Sequence, residues 1–317
     1  MIPARSCARV LLLLLALATD AGAASFEQVA RQFMESDFIF SRAKSDVPFV
    51  PLAWIDLDSY QESTLRTPSS DTRDLSFRQT SLSEATLLPV LLGRRDTLLV
   101  GQWGTWTRLS SAHFEDTDVA SIATPFGWAR QASPDWQVAA FVAPSANLSG
   151  GHWYWDYMGG VFARYLGTPR FAWVFGFYAE VAPPEEFYVP YMGVTWTIDR
   201  HWTLSAILPW PAVLYSPTPD WLLRLGLAPS SASWIADVPV TGKSPQRVRA
   251  DFTSWDFGFR VEKRAWKSLW VGGETGVSAL RGFSFSGGDW QHPRVTLGSD
   301  PYVVLTISFR PSLADAE

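Results

Sequence analysis

The sequence has a single cysteine, Cys7, among its 317 residues. It precedes the apolar run 10–18 instead of following it, so it is not placed for lipid attachment. Past that run there is no thiol, and no disulfide can form even in an oxidising compartment. Packing and backbone pairing must therefore hold the fold. Long apolar runs are also missing after residue 23, and the mean hydropathy is +0.01. A helix needs roughly 20 apolar residues to cross a bilayer, so helical spans are excluded. There is no basic excess either: 26 Lys and Arg stand against 31 Asp and Glu, a net charge of −5. That balance argues against a nucleic-acid partner, which wants a basic face. The 4 histidines, His113, His152, His201 and His292, fall into no HxxxH or HExxH spacing. No GxSxG elbow, P-loop or GxGxxG occurs, so no metal or cofactor is expected.

The first residues carry a secretory signal: Arg5 and Arg9, then "VLLLLLALA", then "AGA" ending at Ala23. Cleavage is expected after Ala23. Residues 24–46 form an N-terminal periplasmic segment, in which Phe26, Val29, Ala30 and Phe33 have helical spacing over 25–35, with Ser25 able to cap. A main body covers 47–310, and a tail 311–317.

The aromatic content is high, with 17 Trp, 20 Phe and 9 Tyr, and its arrangement is periodic. In "YMGVTWTIDRHWTLSAILPWP", Met192, Val194, Trp196 and Ile198 alternate with smaller or polar residues. After Asp199-Arg200-His201 the alternation resumes as Trp202, Leu204, Ala206 and Leu208. A period of two with a short polar gap predicts a β-hairpin. Similar units begin at Trp136 and Trp221 just after tight turns, and each is read as ending at a proline, Pro144, Pro209 or Pro229. In "SWDFGFRVE", Trp255, Phe257, Phe259 and Val261 alternate with Asp256, Gly258, Arg260 and Glu262.

Alternation alone also suits a soluble sandwich. Here, however, small residues and Gly share the polar face, and Trp clusters at strand starts, where a bilayer interface holds its amphipathic ring. Turns are read as short and long by alternation, the habit of outer-membrane barrels. The strand "YVVLTISFR", ending in an aromatic, looks like the C-terminal signal read by the barrel assembly machinery, although "RPSLADAE" follows Phe309. The expected fold is all-β, a transmembrane antiparallel up-and-down β-barrel of about 12 strands, within a range of 10–14. Twelve strands are placed between 95 and 310, and weaker candidates at "VPFVPLAWIDLD" and "RDLSFRQTS" would make fourteen.

In such a barrel the polar face lines the lumen. The lumen-facing candidates are Arg164, Tyr178, Glu180, Asp256, Arg260, Glu262 and Glu274, which form either a plug of ion pairs or a selective ring. The candidate membrane-interface aromatics are Trp136, Trp196, Trp202, Trp221, Trp255 and Phe309. The run "GHWYWDY", 151–157, is read as a loop whose aromatics touch a ligand or lipopolysaccharide.

The segment from about Asp118 to Phe309, and most densely "VPYMGVTWTIDRHWTLSAILPWPAVLY" followed by "TPDWLLRLGL", resembles an uncharacterised family of Gram-negative outer-membrane β-barrel proteins, a domain of unknown function. Asp199, Arg200, Trp202, Pro209, Pro211, Asp220 and Trp221 carry the resemblance, with "RH" before Trp202 departing slightly in spacing. It implies architecture and an outer-membrane location, and no catalytic residue. The expected function is a channel, transporter or structural membrane component, without catalysis. The expected partners are outer-membrane lipids, lipopolysaccharide and the assembly machinery. Two alternatives stay open: an outer-membrane lipid-modifying enzyme or hydrolase using His152 with Ser149 or Ser145, and a secreted carbohydrate-binding β-sandwich.

Overall fold

The computed structural model describes residues 45–48, 50–65, 75–110, 116–149, 151–182, 185–238, 246–286 and 295–310, with Gln28, Gln32, Ser36 and Phe38. The expected signal 1–23, most of the expected helix 25–35 and the tail 311–317 lie outside the described residues. Gln28 and Gln32 are helical and exposed, and Phe38 is buried.

The described strands are β1 (Ala53–Tyr60), β2 (Ser63–Leu65), β3 (Leu75–Leu91), β4 (Asp96–Ser110), β5 (Thr117–Ala123), β6 (Phe126–Gln131), β7 (Trp136–Ser149), β8 (His152–Thr168) and β9 (Phe171–Ala182). They continue with β10 (Glu185–Thr197), β11 (Trp202–Ile207), β12 (Ala212–Tyr215), β13 (Trp221–Val238), β14 (Gln246–Trp266), β15 (Leu269–Ser286), β16 (Val295–Thr296) and β17 (Asp300–Phe309). Each pairs antiparallel with its neighbour, and β1 joins β17 from Ala53↔Phe309 to Tyr60↔Tyr302, so the sheet closes on itself. β5 and β6 lie end to end between β4 and β7 and count as one stave. Short β2 and β16 continue the staves of β1 and β17, pairing with the far ends of β3 and β15. The result is a closed antiparallel barrel of 14 staves, the top of the expected range. Both weaker candidates are strands, β1 and β3.

Closure rules out a β-sandwich, which needs two facing sheets. It also fixes two environments. Along β17, Val303, Leu305 and Ile307 are exposed on the outer face, while Tyr302, Val304, Thr306 and Ser308 between them are buried. The outer face elsewhere carries Trp128, Val142, Val161, Trp173, Phe175, Phe177, Met192, Leu225, Phe257 and Phe259, all exposed. In hydrocarbon an unpaired backbone group costs several kcal/mol, so only a closed sheet clothed in such side chains can cross. Lipid lies on the apolar side.

The structure corrects three expectations about strand ends. β7 runs through Pro144 to Ser149, and β13 runs through Pro229 to Val238. A proline is tolerated where a strand lacks a ladder partner on one side. Pro144 faces the interruption between β5 and β6, its carbonyl accepting from Thr124 N at 3.1 Å, and Pro229 lies beyond the last residue of β13 that β12 pairs, Gly226. Of the three prolines, only Pro209 follows a strand that ends. The run 151–157 is not a loop: β8 begins at His152, after a tight connection in which Gly151 takes a left-handed φ of 79°. Trp153, Trp155 and Tyr157 are exposed on the outer face of β8. The connections at that end are therefore not uniformly long.

Candidate functional site

Alternation places the inner side chains, and the sheet's curvature then brings together strands that are not neighbours. At the seam where the barrel closes, Arg260 on β14 donates from Nε to Glu274 Oε2 on β15 at 2.6 Å and reaches Asp56 Oδ2 on β1 at 3.4 Å. Glu274 Oε1 accepts from Tyr302 OH at 2.6 Å, and Arg224 on β13 lies 3.6 Å from its other oxygen. Above this group, Tyr60 OH donates to Asp256 Oδ2 at 3.0 Å, and Arg281 pairs with Asp300. Below it, Glu262, 1 % exposed, accepts from Arg310 Nη2 at 2.8 Å and Ser308 Oγ at 3.2 Å. One network thus ties β1, β13, β14, β15 and β17 through side chains as well as backbone. Glycine makes the room: a Cβ at Gly258 would meet the Glu274 carboxylate and the Tyr302 hydroxyl.

Four of the sequence candidates, Asp256, Arg260, Glu262 and Glu274, meet in this network. The other three lie on a different arc. Arg164 Nη1 donates to Gln137 Oε1 at 3.1 Å between β8 and β7, and Tyr178 OH donates to Glu180 Oε2 at 3.0 Å on β9. Asp56, Asp58, Tyr60, Arg224, Arg281, Tyr302 and Arg310 were not singled out from sequence. The alternation of Asp56 and Asp58 with Ile55 and Leu57 in "WIDLDSY" carried the signal for the first of these.

The network borders a cavity of about 550 Å³. Its lining runs from Val47, Pro48 and Arg310, past Arg260, Glu274 and Asp256, to Ala228, Ser230, Ser205 and Trp210. A row of rings lies on the arc between β7 and the β11–β12 corner: Phe141 stacks on Phe162 at 5.5 Å, Phe162 meets Tyr191 at 4.9 Å, and Tyr191 meets Trp210 at 6.4 Å. Gly176 on β9 allows this crossing, because a Cβ there would run into Tyr191 and Phe162.

Both ends of the barrel are narrowed. At the end holding the short turns, Asp46 N donates to Arg200 O at 2.7 Å and its carboxylate pairs with Arg200 Nε at 2.9 Å, on the β10–β11 turn. Val47 then packs against Leu222 and Trp270, and Leu52 N donates to Phe309 O at 2.9 Å. Residues 46–48 and 50–52 thus form a strap from β10–β11 to the β1–β17 seam, about half-way round the ring. At the opposite end Ser149 Oγ donates to Ile235 O at 2.9 Å and Tyr154 OH to Ser233 O at 2.7 Å. These link β7 and β8 to β13, again nearly opposite in the ring. Staves about 4.8 Å apart would hold opposite walls of a round barrel of this size more than ~20 Å apart, so this mouth is pinched.

Ser149 gives its one hydroxyl proton to a main-chain carbonyl, a structural use. Among the described residues no cluster of three or more His, Cys, Asp or Glu could hold a metal ion.

The interface candidates on the outer face fall at two levels. Trp136, Trp202 and Trp221 open β7, β11 and β13, Trp196 is near the end of β10, and Phe309 ends β17, all at the strap end. Trp136 lies against its cross-strand partner Tyr165 at 4.9 Å, Trp202 stacks on Tyr215 at 4.3 Å, and Lys263 Nζ sits 5.1 Å above Trp221. Trp255 faces Pro229, farther from that end.

No family model matches the sequence, and no curated protein matches it. Solved structures do resemble it. A TodX monoaromatic hydrocarbon channel mutant aligns with TM-score 0.50 and 8 % identity over 83 % of this chain and 91 % of that one. An outer membrane channel from Pseudomonas putida F1 aligns with TM-score 0.46 and 13 % identity, over 85 % of this chain and 99 % of the other. A Pseudomonas aeruginosa FadL homologue gives 0.44 and 9 %, over 81 % and 89 %. At these identities the likeness concerns architecture. The likeness at TM-score 0.50, together with the closed sheet and its apolar exterior, shows that this chain has the fold of an outer-membrane β-barrel.

Proposed function

We propose that the protein is an outer-membrane channel or transporter for small solutes. The observation that carries this reading is the cavity of about 550 Å³ inside the closed wall, bordered by charged groups on one arc and reaching an aromatic corner on the other. A purely structural barrel gains nothing from keeping such space, since small barrels fill themselves with side chains. The channel names of the structural neighbours support the same reading. In it, Asp256, Arg260, Glu262 and Glu274 form the charged side of the path, and Arg164, Tyr178 and Glu180 face it from β8 and β9. Trp136, Trp196, Trp202, Trp221, Trp255 and Phe309 act as interface anchors against lipid headgroups and lipopolysaccharide, with Lys263 over Trp221 as a cationic complement. Residues 1–23 serve export, and β17 serves recognition by the assembly machinery.

The test is permeability. Liposomes containing the folded protein should pass small solutes faster than protein-free liposomes, and heat-denatured protein should not produce the effect. Equal permeability with and without the protein, for polar and apolar solutes alike, would overturn the reading.

A further inference from the structure

One position on the lipid side breaks the rule that the outer wall is apolar. Glu84 on β3 stands in register with Ile55 on β1 and Gly104 on β4, and these in turn with exposed Ile307 on β17 and exposed Ile122 on β5. Residues directly opposite one another share a face of the sheet. The Glu84 carboxyl is therefore on the outside, while its neighbour Ser83 pairs with Asp56 on the inside. Gln102 Nε2, on the same face of β4, donates to Glu84 Oε1 at 2.8 Å. The carboxyl lies over Gly104, where an added Cβ would come within 3.0 Å of that oxygen.

The pair sits at the middle of the wall. The outward residues of β4 begin at Asp96, which accepts from Trp128 Nε1 at 3.1 Å and Arg130 Nη1 at 3.3 Å, and they reach Arg108, which pairs with Asp116 at 2.6 Å. These charged groups mark the two edges of the apolar band. Arg108 is 108 − 96 = 12 residues beyond Asp96. That many steps at a tilt of about 45° rise ~29 Å, close to an apolar band about 25 Å tall. Gln102 is equally far from both, and the outward residues between are Leu98, Val100, Gly104 and Trp106.

Acyl chains offer neither donor nor acceptor, and headgroups are half a bilayer away. Polar groups at this depth are costly unless matched. Among the described residues, their mutual bond is the one hydrogen bond of either side chain. Gln102 keeps a second N–H and a carbonyl oxygen, and Glu84 a second oxygen, to which a neutral carboxyl adds an O–H. The pair thus fits a partner that brings both donors and acceptors at mid-membrane height.

We infer that two copies of this chain associate in the membrane through the arc β1–β3–β4–β5, with Glu84 of each hydrogen-bonded to Gln102 of the other. The inference does not depend on the channel reading. Copies of one chain insert with the same end outward, so a two-fold axis must run along the bilayer normal, and only groups of equal height meet across it. Glu84 and Gln102 are side by side at one height. An acid and an amide are also self-complementary: each amide can give its second N–H to the other copy's carboxyl and accept that carboxyl's O–H. The surrounding relief is low. Ile55, Leu57, Leu82 and Thr86 border the pair without a ring, whereas β9 and β10 present Trp173, Phe175, Phe177 and Trp196 to lipid. Gly104 and Thr86 let the two walls come close, as small residues do between membrane segments.

Energy transfer between copies in liposomes tests this. Gly93→Cys, in the β3–β4 turn where an added Cβ meets nothing within 4 Å, carries a donor or an acceptor dye in a Cys7→Ser background. Transfer should rise with the protein-to-lipid ratio along a two-copy binding curve and fall when unlabelled protein is added. Glu84→Leu should weaken association by about tenfold or more, as matched hydrogen bonds are lost in lipid. Glu84→Gln keeps a donor and an acceptor and should stay within about threefold of the unsubstituted protein. Both variants are compared after showing the heat-dependent mobility shift of a folded barrel. Oxidation then locates the face: Thr86→Cys should give a disulfide-linked pair, and Leu225→Cys, exposed on the far wall, should not. A single copy at every protein-to-lipid ratio overturns the inference, as does cross-linking at position 225 in place of 86. Glu84→Leu that associates like the unsubstituted protein but unfolds at lower urea assigns the pair to the barrel's own wall, and also overturns it.

Discussion

Glu262 shows how much a single inner side chain depends on its partner. It is 1 % exposed, and three of its four nearest polar contacts come from Arg310, with Ser308 the fourth. Removing one member of a buried pair leaves a charge with neither water nor counter-ion, at a cost of ~3–5 kcal/mol, while replacing both by apolar groups is often near neutral. Arg310→Met is therefore expected to lower the urea midpoint for unfolding from micelles sharply, and Glu262→Met/Arg310→Met to recover most of the loss. Asp199 illustrates the opposite case, an exposed turn residue. Its carboxylate accepts from the amides of His201 at 2.7 Å and Trp202 at 2.9 Å, which hold its pKa below the ordinary carboxylate value. A depressed folded pKa means that the contribution is complete above the unfolded value, about 4, and is lost as pH falls through the folded one. Asp199→Asn keeps an acceptor that does not titrate. Its unfolding midpoint should therefore fall less than wild type's between pH 6 and pH 3.

At the scale of elements, glycines on the inner face are where packing and sequence meet. A Cβ at Gly258 would strike Glu274 and Tyr302, whereas at Gly273, on the outer face, it would find only Val304 O at 3.5 Å. Gly258→Ala should destabilise by about 1–3 kcal/mol, the usual cost of overpacking, and Gly273→Ala should be close to neutral in the same unfolding assay. Such contrasts also explain what the sequence could disclose. Alternation in "YMGVTWT" and "FGFRVE" revealed strands, and the small residues on the polar face revealed which side meets lipid, because both follow from local period and side-chain size. Strand ends were harder to place: Pro144 and Pro229 look like stops, yet each sits where a neighbouring ladder, β5–β6 or β12, happens to lapse. That lapse is a property of another strand. The partners of Arg260 show the same limit, since Asp56 is 204 residues away and reaches it only through curvature and closure.

For the whole molecule, the solvent on each side decides the stability. Leu305 is 65 % exposed on the outer face between buried Val304 and Thr306, so Leu305→Arg should cost about 2–4 kcal/mol near the bilayer midplane. The barrel should refold into thin bilayers with a correspondingly lower urea midpoint.

The strap across the short-turn end invites a final argument about access. Its hold on the β10–β11 turn includes the Asp46–Arg200 pair, in which Arg200 is 65 % exposed, and such surface pairs contribute ~0–1 kcal/mol. Burying Val47 against Leu222 and Trp270 adds on the order of 1.5–3 kcal/mol. Those figures suit a cover that can lift, because the barrel's own ladders do not depend on it. Asp46→Ala/Val47→Ser should leave the heat-dependent mobility shift intact. The same variant should raise the permeability of liposomes to a small polar solute several-fold, as the mouth facing Arg310 and Glu262 comes free. Unchanged polar permeability in the folded variant would show that the strap is part of the barrel's floor and does not control passage.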